Sequence, residues 1–260
     1  MLISIQQVAK ALPELSIFLP LTAIAFVAGF ISSMAGAGGM LTLPALLWAG
    51  LPPITALATN KVQSTLGTLS SAWNFFRKGH LELRPLLPSF VTALLGACLG
   101  TWTALSVGNE LLALLLPVLL IAIGLYFLLA PKMTDENRQS RLSPAQFACT
   151  AAPLMGFYGG FFGPGMGSIF PFLLVWLLGY GLRKATAQTK AMVLSVNGVS
   201  AVIFILGGHV NWSLAIAMSL AQVVGARLGS NLVISRGSAL VQPVIVAVTL
   251  LVAFKLLVLP

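Results

Sequence analysis

Long apolar segments follow one another along almost the whole chain, and only short polar stretches separate them. Only 7% of the residues are charged, whereas a soluble domain carries roughly 25%. So few charges cannot cover a water-soluble surface, and lipid must therefore be the main solvent. In lipid, only helices and closed barrels satisfy their own backbone hydrogen bonds. Because the apolar segments lack the alternation of barrel strands, we predict an all-α integral membrane protein.

Eight of the apolar segments are long and two are short. A hydrocarbon core of ~30 Å needs about 20 helical residues, which the long segments supply. The short segments, Met40–Gly50 and Ser168–Gly179, cover about half of that thickness, and each is expected to form a re-entrant hairpin with the helix before it. The long segments are Ser16–Ser33, Thr55–Phe76, Leu86–Ser106, Leu111–Ala130, Ala145–Phe162, Ala185–Leu206, Trp212–Ile234 and Ala239–Leu259.

The pattern of glycine, proline, lysine and histidine restarts in the middle of the chain. Residues recur in the same order 127 positions later and, after a two-residue insertion, 129 positions later. Such agreement is improbable by chance. We therefore predict two tandem copies of one unit, residues 1–130 and 145–260, joined by a cytoplasmic linker at 131–144. The matched pairs are Gly29 with Gly156, Gly36 with Gly163, Pro44 with Pro171, Lys61 with Lys190, His80 with His209, Gly96 with Gly225 and Gly100 with Gly229.

The basic residues indicate that the two copies face opposite ways across the bilayer. The loop after the third apolar segment contains Arg77, Lys78 and Arg84, whereas its counterpart in the second copy has no lysine or arginine. Conversely, Arg183 and Lys184 precede a helix of the second copy, and the counterpart loop in the first copy has no basic residue. Loops with lysine and arginine stay in the cytoplasm. We therefore predict inverted repeats around broken helices, which is the architecture of many secondary transporters. We also predict that the chain is a multi-pass protein of the cell inner membrane.

The apolar segments lack the residues that other classes of function would require. The net charge of +9 does not indicate a nucleic-acid partner, because the basic residues lie in short loops between segments. Cys98 and Cys149 lie in apolar segments without disulfide or metal spacing. All five acidic residues lie at segment edges or in loops, so no buried carboxylate is expected to hold a metal or relay protons. Without a nucleotide-binding loop or a catalytic arrangement, we expect neither an enzyme nor a cofactor.

Two glycine-rich breaks, one in each copy, are the strongest candidates for a binding site. Glycine lets the backbone leave the helix and lets another group approach closely. The short helix after each break begins with N–H groups that attract anions, and two such ends near the midplane would hold one anionic group. The alternative is that the glycines only permit tight helix packing. The candidate residues are Gly36, Gly38 and Gly39 in the first break and Gly163, Gly165 and Gly167 in the second.

A lysine recurs at the corresponding position of each copy, inside an apolar segment. A lysine within a span is costly unless it finds a partner or snorkels to the interface. Its recurrence beside amide and hydroxyl side chains indicates an anion contact, and snorkelling to the near interface is the equal alternative. The candidate residues are Thr59, Asn60 and Lys61 in the first copy and Gln188, Thr189 and Lys190 in the second. Three further polar residues, Gln63, Asn74 and Asn197, either line the path or bond a neighbouring helix, and we expect the second.

Two motifs recur in both copies, so the resemblance that they carry covers nearly the whole chain as two units: Gly29-x6-Gly36-x-Gly-Gly39-x4-Pro44 and Ala56-x-Ala-Thr-Asn-Lys61. They resemble the sulfite exporter TauE/SafE family of bacterial membrane proteins. The resemblance implies a secondary transporter, usually an exporter, of small sulfur-containing anions such as sulfite or sulfonated organic acids. We therefore predict that the protein lies in the lipid bilayer and exports a small anion by alternating access. The sequence does not decide between a monomer and a homo-oligomer. The alternatives are an anion channel and a non-transporting assembly partner.

Overall fold

The computed structural model describes residues 5–82, 84–129 and 139–236 as packed α-helices. No strand occurs in these ranges, which confirms the predicted all-α class. Most of the predicted linker 131–144 lies outside the described residues, and so does the predicted last segment, Ala239–Leu259.

Within the described ranges, nine α-helices follow one another, with a 3-10 turn at Arg84–Leu86 before the fourth. Their bounds are α1 (Ile5–Ala35), α2 (Gly39–Trp48), α3 (Pro53–Arg77), α4 (Leu87–Leu129), α5 (Pro144–Cys149), α6 (Ala151–Phe161), α7 (Met166–Leu178), α8 (Leu182–Leu206) and α9 (Trp212–Arg236).

Length and composition would let four stretches of the described chain cross a membrane. The helix α3 has 25 residues, but many of its side chains are polar. The helices α2 and α7, with 10 and 13 residues, are too short to span alone. The four stretches are Ile17–Met34, Arg84–Ile123, Leu182–Leu206 and Trp212–Ser235.

Gly108 divides α4 into two helical halves, because its φ of 78° and ψ of 173° are not helical. The sequence predicts the boundary between Leu86–Ser106 and Leu111–Ala130 at this place. The two segments therefore follow each other across a single sharp bend. Next to the bend, Asn109 Oδ1 accepts a hydrogen bond of 2.9 Å from the N–H of Ile54 and so caps the first turn of α3.

The predicted segment Ala145–Phe162 is divided into two helices, α5 and α6. Thr150 between them has a φ of −121° and a ψ of −78°. Ser143 and Gln146 cap α5 with reciprocal side chain–backbone hydrogen bonds of 2.8 and 3.2 Å. Pro153 has no N–H to donate to the carbonyl four residues earlier. Local hydrogen bonding therefore breaks the helix where the apolar pattern runs on.

Glycines let α1 pack closely on α9, and α4 closely on α6. A Cβ on Gly96, Gly100, Gly225 or Gly229 would overlap a backbone carbonyl oxygen of the facing helix. These four glycines are therefore packing residues. The facing carbonyls belong to Pro153 for Gly96, Phe157 for Gly100, Phe26 for Gly225 and Phe30 for Gly229. The carbonyls on α6, at Pro153 and Phe157, lie 127 positions after those on α1, at Phe26 and Phe30. The pair α4 and α6 and the pair α9 and α1 therefore contact each other at corresponding positions of the sequence repeat.

The corresponding helices α3 and α8 pack against each other, with α2 beside α3 and α7 beside α8. Ion pairing shows how α3 and α8 run. Glu82, just after α3, lies 3.2 Å from Lys184 at the start of α8. At the other end, the N–H of Asn211, just after α8, donates to Thr59 Oγ1 near the start of α3 at 3.1 Å. The two helices are therefore antiparallel.

Candidate functional site

The two glycine-rich breaks end α1 and α6 in the protein interior. Gly36 follows α1 with a φ of 74°, and Gly163 and Gly165 follow α6 with φ values of 98° and 79°. These left-handed values cost glycine little and other residues more. The predicted breaks therefore coincide with the positions where the helices end.

The two breaks contact each other. Gly36 lies so close to Gly167 that a Cβ on Gly36 would overlap the Gly167 backbone, and a Cβ on Gly167 would lie 2.7 Å from Gly36 Cα. A Cβ on Gly39 would lie 3.3 Å from Pro164 Cα. The starts of the short helices α2 and α7 therefore meet at one place.

Some N–H groups at these helix starts are already used inside each short helix. At the start of α2, the N–H groups of Met40 and Leu41 donate to carbonyls three residues earlier at 3.1 and 3.0 Å. At the start of α7, those of Met166 and Ser168 do the same at 3.1 and 2.9 Å. The expected set of free N–H groups is therefore present only in part. Gly167, whose N–H donates to no backbone carbonyl of the described residues, lines the cavity between the breaks.

This cavity is polar and lies where the two breaks meet α3, α8 and α9. Its free space is about 550 Å³, including the part open to solvent. Glycine backbone and lysine, amide and hydroxyl side chains make up most of its wall. The lining residues are Gly29, Ser32, Ser33, Gly36, Gly39, Asn60, Lys61, Ser64, Gly67, Thr68, Ser71, Gly163, Met166, Gly167, Lys190, Val193, Asn197, Gln222 and Ala226.

Lys61 of α3 and Lys190 of α8 both line the cavity and are almost fully buried, at 1% and 3% exposure. Lys61 Nζ donates to Asn197 Oδ1 at 3.2 Å and to the carbonyl of Gly159. Lys190 Nζ donates to the carbonyl of Ser32 at 2.7 Å. Both ammonium groups are therefore held in the interior, and snorkelling does not describe either side chain.

Each lysine bonds to the other copy at the corresponding turn. Gly159 lies 127 positions after Ser32, the offset that also relates the two breaks. Lys61 of the first copy reaches the last turn of α6, and Lys190 of the second copy reaches the last turn of α1. One contact is thus made twice, once in each direction, a pattern typical of two units related by a two-fold axis.

The described residues place no carboxylate beside these buried ammonium groups, and the ion pair of Lys184 with Glu82 is exposed. In the same part of the chain, no group of His, Cys, Asp or Glu side chains could hold a metal ion. A buried charge is costly unless it is paired, and carbonyl and amide oxygens compensate for only part of that cost. A cavity with two positive charges, neutral donors and no acid favours an anionic ligand.

The cavity brings together most of the residues that the sequence predicts for the site. Thr59 and Thr189 lie beside it. The Thr59 hydroxyl accepts from the N–H of Asn211 at 3.1 Å, and the Thr189 hydroxyl donates to the carbonyl of Ala185 at 2.8 Å. The predicted residues that line the cavity are Gly36, Gly39, Asn60, Lys61, Gly163, Gly167 and Lys190.

Three other predicted residues also lie outside the lining. Gly38 packs against α1, where a Cβ would lie 2.6 Å from Ser32 Cβ. Gly165 is the N-cap of α7 and turns the chain into that helix. Gln188 is buried in α8, and its Oε1 has no hydrogen-bond partner among the described residues.

Sequence reasoning missed a stripe of small polar residues on α3. Ser64, Thr68 and Ser71 follow the lysine of α3 at spacings of three or four residues and line the cavity with it. Helical periodicity would have found this stripe. Gln222 of α9 was missed as well, because its counterpart in the first copy is Ala93 and the repeat gives no signal there.

The other polar residues of the spans divide between lining and packing. Asn197 lines the cavity and accepts a hydrogen bond from Lys61 of α3. The prediction that Asn197 bonds a neighbouring helix was therefore incomplete, because the residue also lines the cavity. Asn74 donates to Ser230 of α9 at 2.8 Å, which is the expected contact between helices. Gln63 donates to Asn60 Oδ1 at 3.0 Å and so holds a lining residue in place.

Known proteins similar to this chain are membrane transporters by name. Residues 21–256 match the family model described as "Sulfite exporter TauE/SafE". The "Probable membrane transporter protein ORF9" of Sinorhizobium sp is 43% identical over 233 residues, which are 90% of this chain and 89% of that protein. A "Probable membrane transporter protein" of Haemophilus influenzae is 42% identical over 90% of this chain and 91% of its own length. For YfcA of Escherichia coli K12, the identity is 43%, over 90% of this chain and 87% of that protein. No solved structure matches the chain.

Proposed function

Because the chain belongs to the sulfite exporter TauE/SafE family, whose members are membrane transporters and not enzymes, we propose that it is a secondary transporter of a small anion. One observation carries the proposal: Lys61 and Lys190, one from each copy, meet in a single polar cavity where the described residues supply no carboxylate. The substrate that we propose is sulfite, an organosulfonate or a related sulfur-containing anion, moved outward.

An oxyanion suits the lining because it has several acceptor oxygens. The ammonium groups of Lys61 and Lys190 lie on different helices and would bind different oxygens of one anion. Hydroxyl groups on α3 add neutral donors along the same wall. A donor set spread over several helices favours a polyatomic anion over a single halide.

The architecture that we propose is a multi-pass inner-membrane protein of about eight spans, built from two inverted repeats. Two features support it. The antiparallel course of α3 and α8 is what inversion of the second copy requires, and both lysines make the same contact with the opposite copy. The basic loops agree, since Arg77 and Lys78 at the end of α3 and Arg183 at the start of α8 belong on the cytoplasmic side.

Alternating access is supported by one hydrogen bond that is made in one half, whereas the corresponding residues of the other half bond to other partners. Thr101 Oγ1 donates to Ser200 Oγ at 2.8 Å. The counterparts of these residues are Ser230 and Ser71. Ser71 instead lines the cavity, and Ser230 accepts a hydrogen bond from Asn74. Exchange of the two arrangements would close one side of the cavity and open the other.

The state described here is open towards the cytoplasm in this proposal. The cavity follows α3 from Asn60 to Ser71 but follows α8 only from Lys190 to Asn197. It therefore extends farther towards the end of α3 at Arg77, which is the end that the basic loops place in the cytoplasm.

Transport is tested with purified protein in liposomes. Labelled sulfite and methanesulfonate are offered beside chloride and sodium, in uptake and in counterflow, with protein-free liposomes as the control. We expect saturable movement and counterflow of the sulfur anions alone. Flux that rises without saturation would favour the anion channel. Movement of sodium would overturn the proposal. So would the absence of any flux together with a copurifying protein, which would favour an assembly partner.

The gating step is tested with paired cysteines after both native cysteines are replaced by alanine. Thr101→Cys with Ser200→Cys should cross-link rapidly in the state described here. The matched pair, Ser71→Cys with Ser230→Cys, should cross-link slowly and only as the protein changes state. Each cross-link should stop counterflow until it is reduced. Equal cross-linking rates, or transport that continues through a cross-link, would contradict alternating access around this contact.

A further inference from the structure

Gln222 of α9 lines the cavity with an unpaired hydrogen-bond acceptor. The residue is 2% exposed, and its Oε1 has no hydrogen-bond partner among the described residues. A buried acceptor without a partner is costly, and native proteins rarely keep one without a reason. Because Gln222 lines the cavity and rotation about one bond exchanges the positions of its amide oxygen and nitrogen, a bound ligand can supply the missing donor.

Two glycines make the room that this amide occupies. A Cβ on Gly67 of α3 would lie 2.5 Å from Gln222 Cγ and 2.9 Å from its Cδ and Nε2. A Cβ on Gly29 of α1 would lie 2.9 Å from Gln222 Cγ. Both glycines line the cavity. The amide is therefore held between two glycines of neighbouring helices, and any larger residue at Gly67 would displace it.

The corresponding pair of helices, α4 and α8, has no equivalent amide. The counterparts of Gln222 and Gly67 are Ala93 and Val196. A small residue on one helix and a branched apolar one on the other replace the glutamine and glycine there. Packing of the two copies therefore does not by itself require an amide at this position.

The other amide oxygens at the cavity already accept hydrogen bonds from the protein. Asn197 Oδ1 accepts from Lys61 at 3.2 Å, and Asn60 Oδ1 accepts from Thr42 at 2.6 Å. Among the described side-chain amides that line the cavity, Gln222 is thus the one whose oxygen has no partner. The lysines can bind only the acceptor atoms of a ligand, whereas Gln222 Oε1 can bind only a donor.

We propose that Gln222 is a specificity-determining residue, which selects a sulfur oxyanion with an O–H or N–H group beside its charged oxygens. The inference rests on the proposed function as an anion transporter. The lysines bind the charged oxygens, and Gln222 Oε1 accepts the hydrogen bond from the protonated group. An anion with a methyl group in that place leaves the acceptor unpaired, and a site built to bond a donor binds such an analogue less tightly.

Two monoanions of similar size and shape make the test. Sulfamate has an amino group on its sulfur atom and so carries an N–H donor, whereas methanesulfonate has a methyl group in the same place. Their binding to the purified full chain is measured by titration calorimetry and by thermal stabilisation. We expect the unmodified protein to bind sulfamate about tenfold or more tightly than methanesulfonate. Gln222→Met should weaken sulfamate alone and bring the ratio close to one. Gln188→Met removes another buried amide with an unpaired oxygen, which lies outside the cavity lining, and should keep the ratio.

The outcomes separate this inference from the proposed function. Equal binding of both anions to the unmodified protein overturns the inference and leaves anion transport standing. If neither anion binds but sulfite does, the inference is overturned and anion transport stands; if sulfite does not bind either, both are overturned. If Gln222→Met weakens both anions equally, the amide donates to the charged oxygens, and selection of a donor-bearing ligand is wrong. Gly67→Ala gives a second measurement if Gln222→Met does not fold, because the added Cβ must displace the same amide and should also lower the ratio.

Discussion

Replacing Lys61 or Lys190 with methionine tests whether the two ammonium groups hold the anion. Methionine keeps a long unbranched side chain and removes the charge. For an anion about 4 Å from either Nζ, Coulomb's law at an effective dielectric constant of ~20 gives about 4 kcal/mol. Each Nζ must first give up a bond to a protein oxygen, such as the 2.7 Å bond from Lys190 to Ser32. The net contribution then falls to about 1.5–3 kcal/mol, which is usual for a charged hydrogen bond.

This net contribution corresponds to binding that is about tenfold to a hundredfold weaker in each variant, since about 1.4 kcal/mol is a factor of ten. Folding stability should not fall in parallel. Lys190→Met leaves the carbonyl of Ser32 without this donor, and Lys61→Met leaves Gly159 and Asn197 without theirs. Each lost partner costs about 1–3 kcal/mol, but removal of an unpaired buried charge returns several kcal/mol. Lys190→Met should therefore be at least as stable as the unmodified protein, and more stable than Lys61→Met.

Titration calorimetry with sulfite measures the binding, and thermal unfolding of the same samples measures the stability. Lys184→Met is the matched control, because it removes a positive charge from an exposed ion pair with Glu82 and should change neither quantity by much. If both buried variants bind sulfite as the unmodified protein does, the lysines are structural and the reasoning is wrong. If Lys184→Met weakens binding as much as they do, the general positive charge of the protein is the cause.

Five further variants, two of them controls, test the packing around the site by thermal unfolding. Gly36→Ala and Gly50→Ala both place a side chain on a left-handed backbone, with φ values of 74° and 84°, at a cost of about 1–2 kcal/mol. Only Gly36→Ala also overlaps the other break, and it should therefore destabilise the protein more. Equal losses of stability in the two variants would contradict the close contact of the breaks. Gly100→Ala should destabilise the protein because its Cβ would overlap a backbone carbonyl of α6. Gly198→Ala is the control, since its Cβ would have no other atom within 4 Å. This control should leave the stability unchanged or raise it by up to about 1 kcal/mol. Asn109→Ala should cost about 1 kcal/mol, as loss of a helix cap does; no change would mean that the bend in α4 does not support α3.

The helix breaks could be predicted from the sequence because their cause is local. Gly36 and Gly163 have backbone angles that other residues adopt only at a cost, and a glycine-rich stretch within an apolar segment indicates such angles. The bend at Gly108 lies at the predicted boundary between two apolar segments. The break at Thr150 was missed, because a cap and a proline cause it within an unbroken apolar run.

The lysines could be predicted as site residues because they recur, but their partners could not. Lys61 bonds to residues 98 and 136 positions away, and Lys190 bonds to one 158 positions away. Gln222 gave no sequence signal, because a single glutamine in an apolar helix looks like a packing residue. Its importance depends on the space that Gly67 leaves on a different helix.

The sequence by itself determined that this chain lies in a membrane, that it is helical and where the helices break at glycines. These properties follow from hydropathy and backbone angles, which each short segment carries alone. Only the tertiary structure decided which helix faces line the cavity and that each lysine bonds to the opposite copy. It also decided that Thr101 bonds to Ser200, whereas their counterparts, Ser230 and Ser71, bond to other partners. Such features depend on how helices far apart in the chain pack together, and the free energy of that packing belongs to the pair of helices and to neither sequence alone.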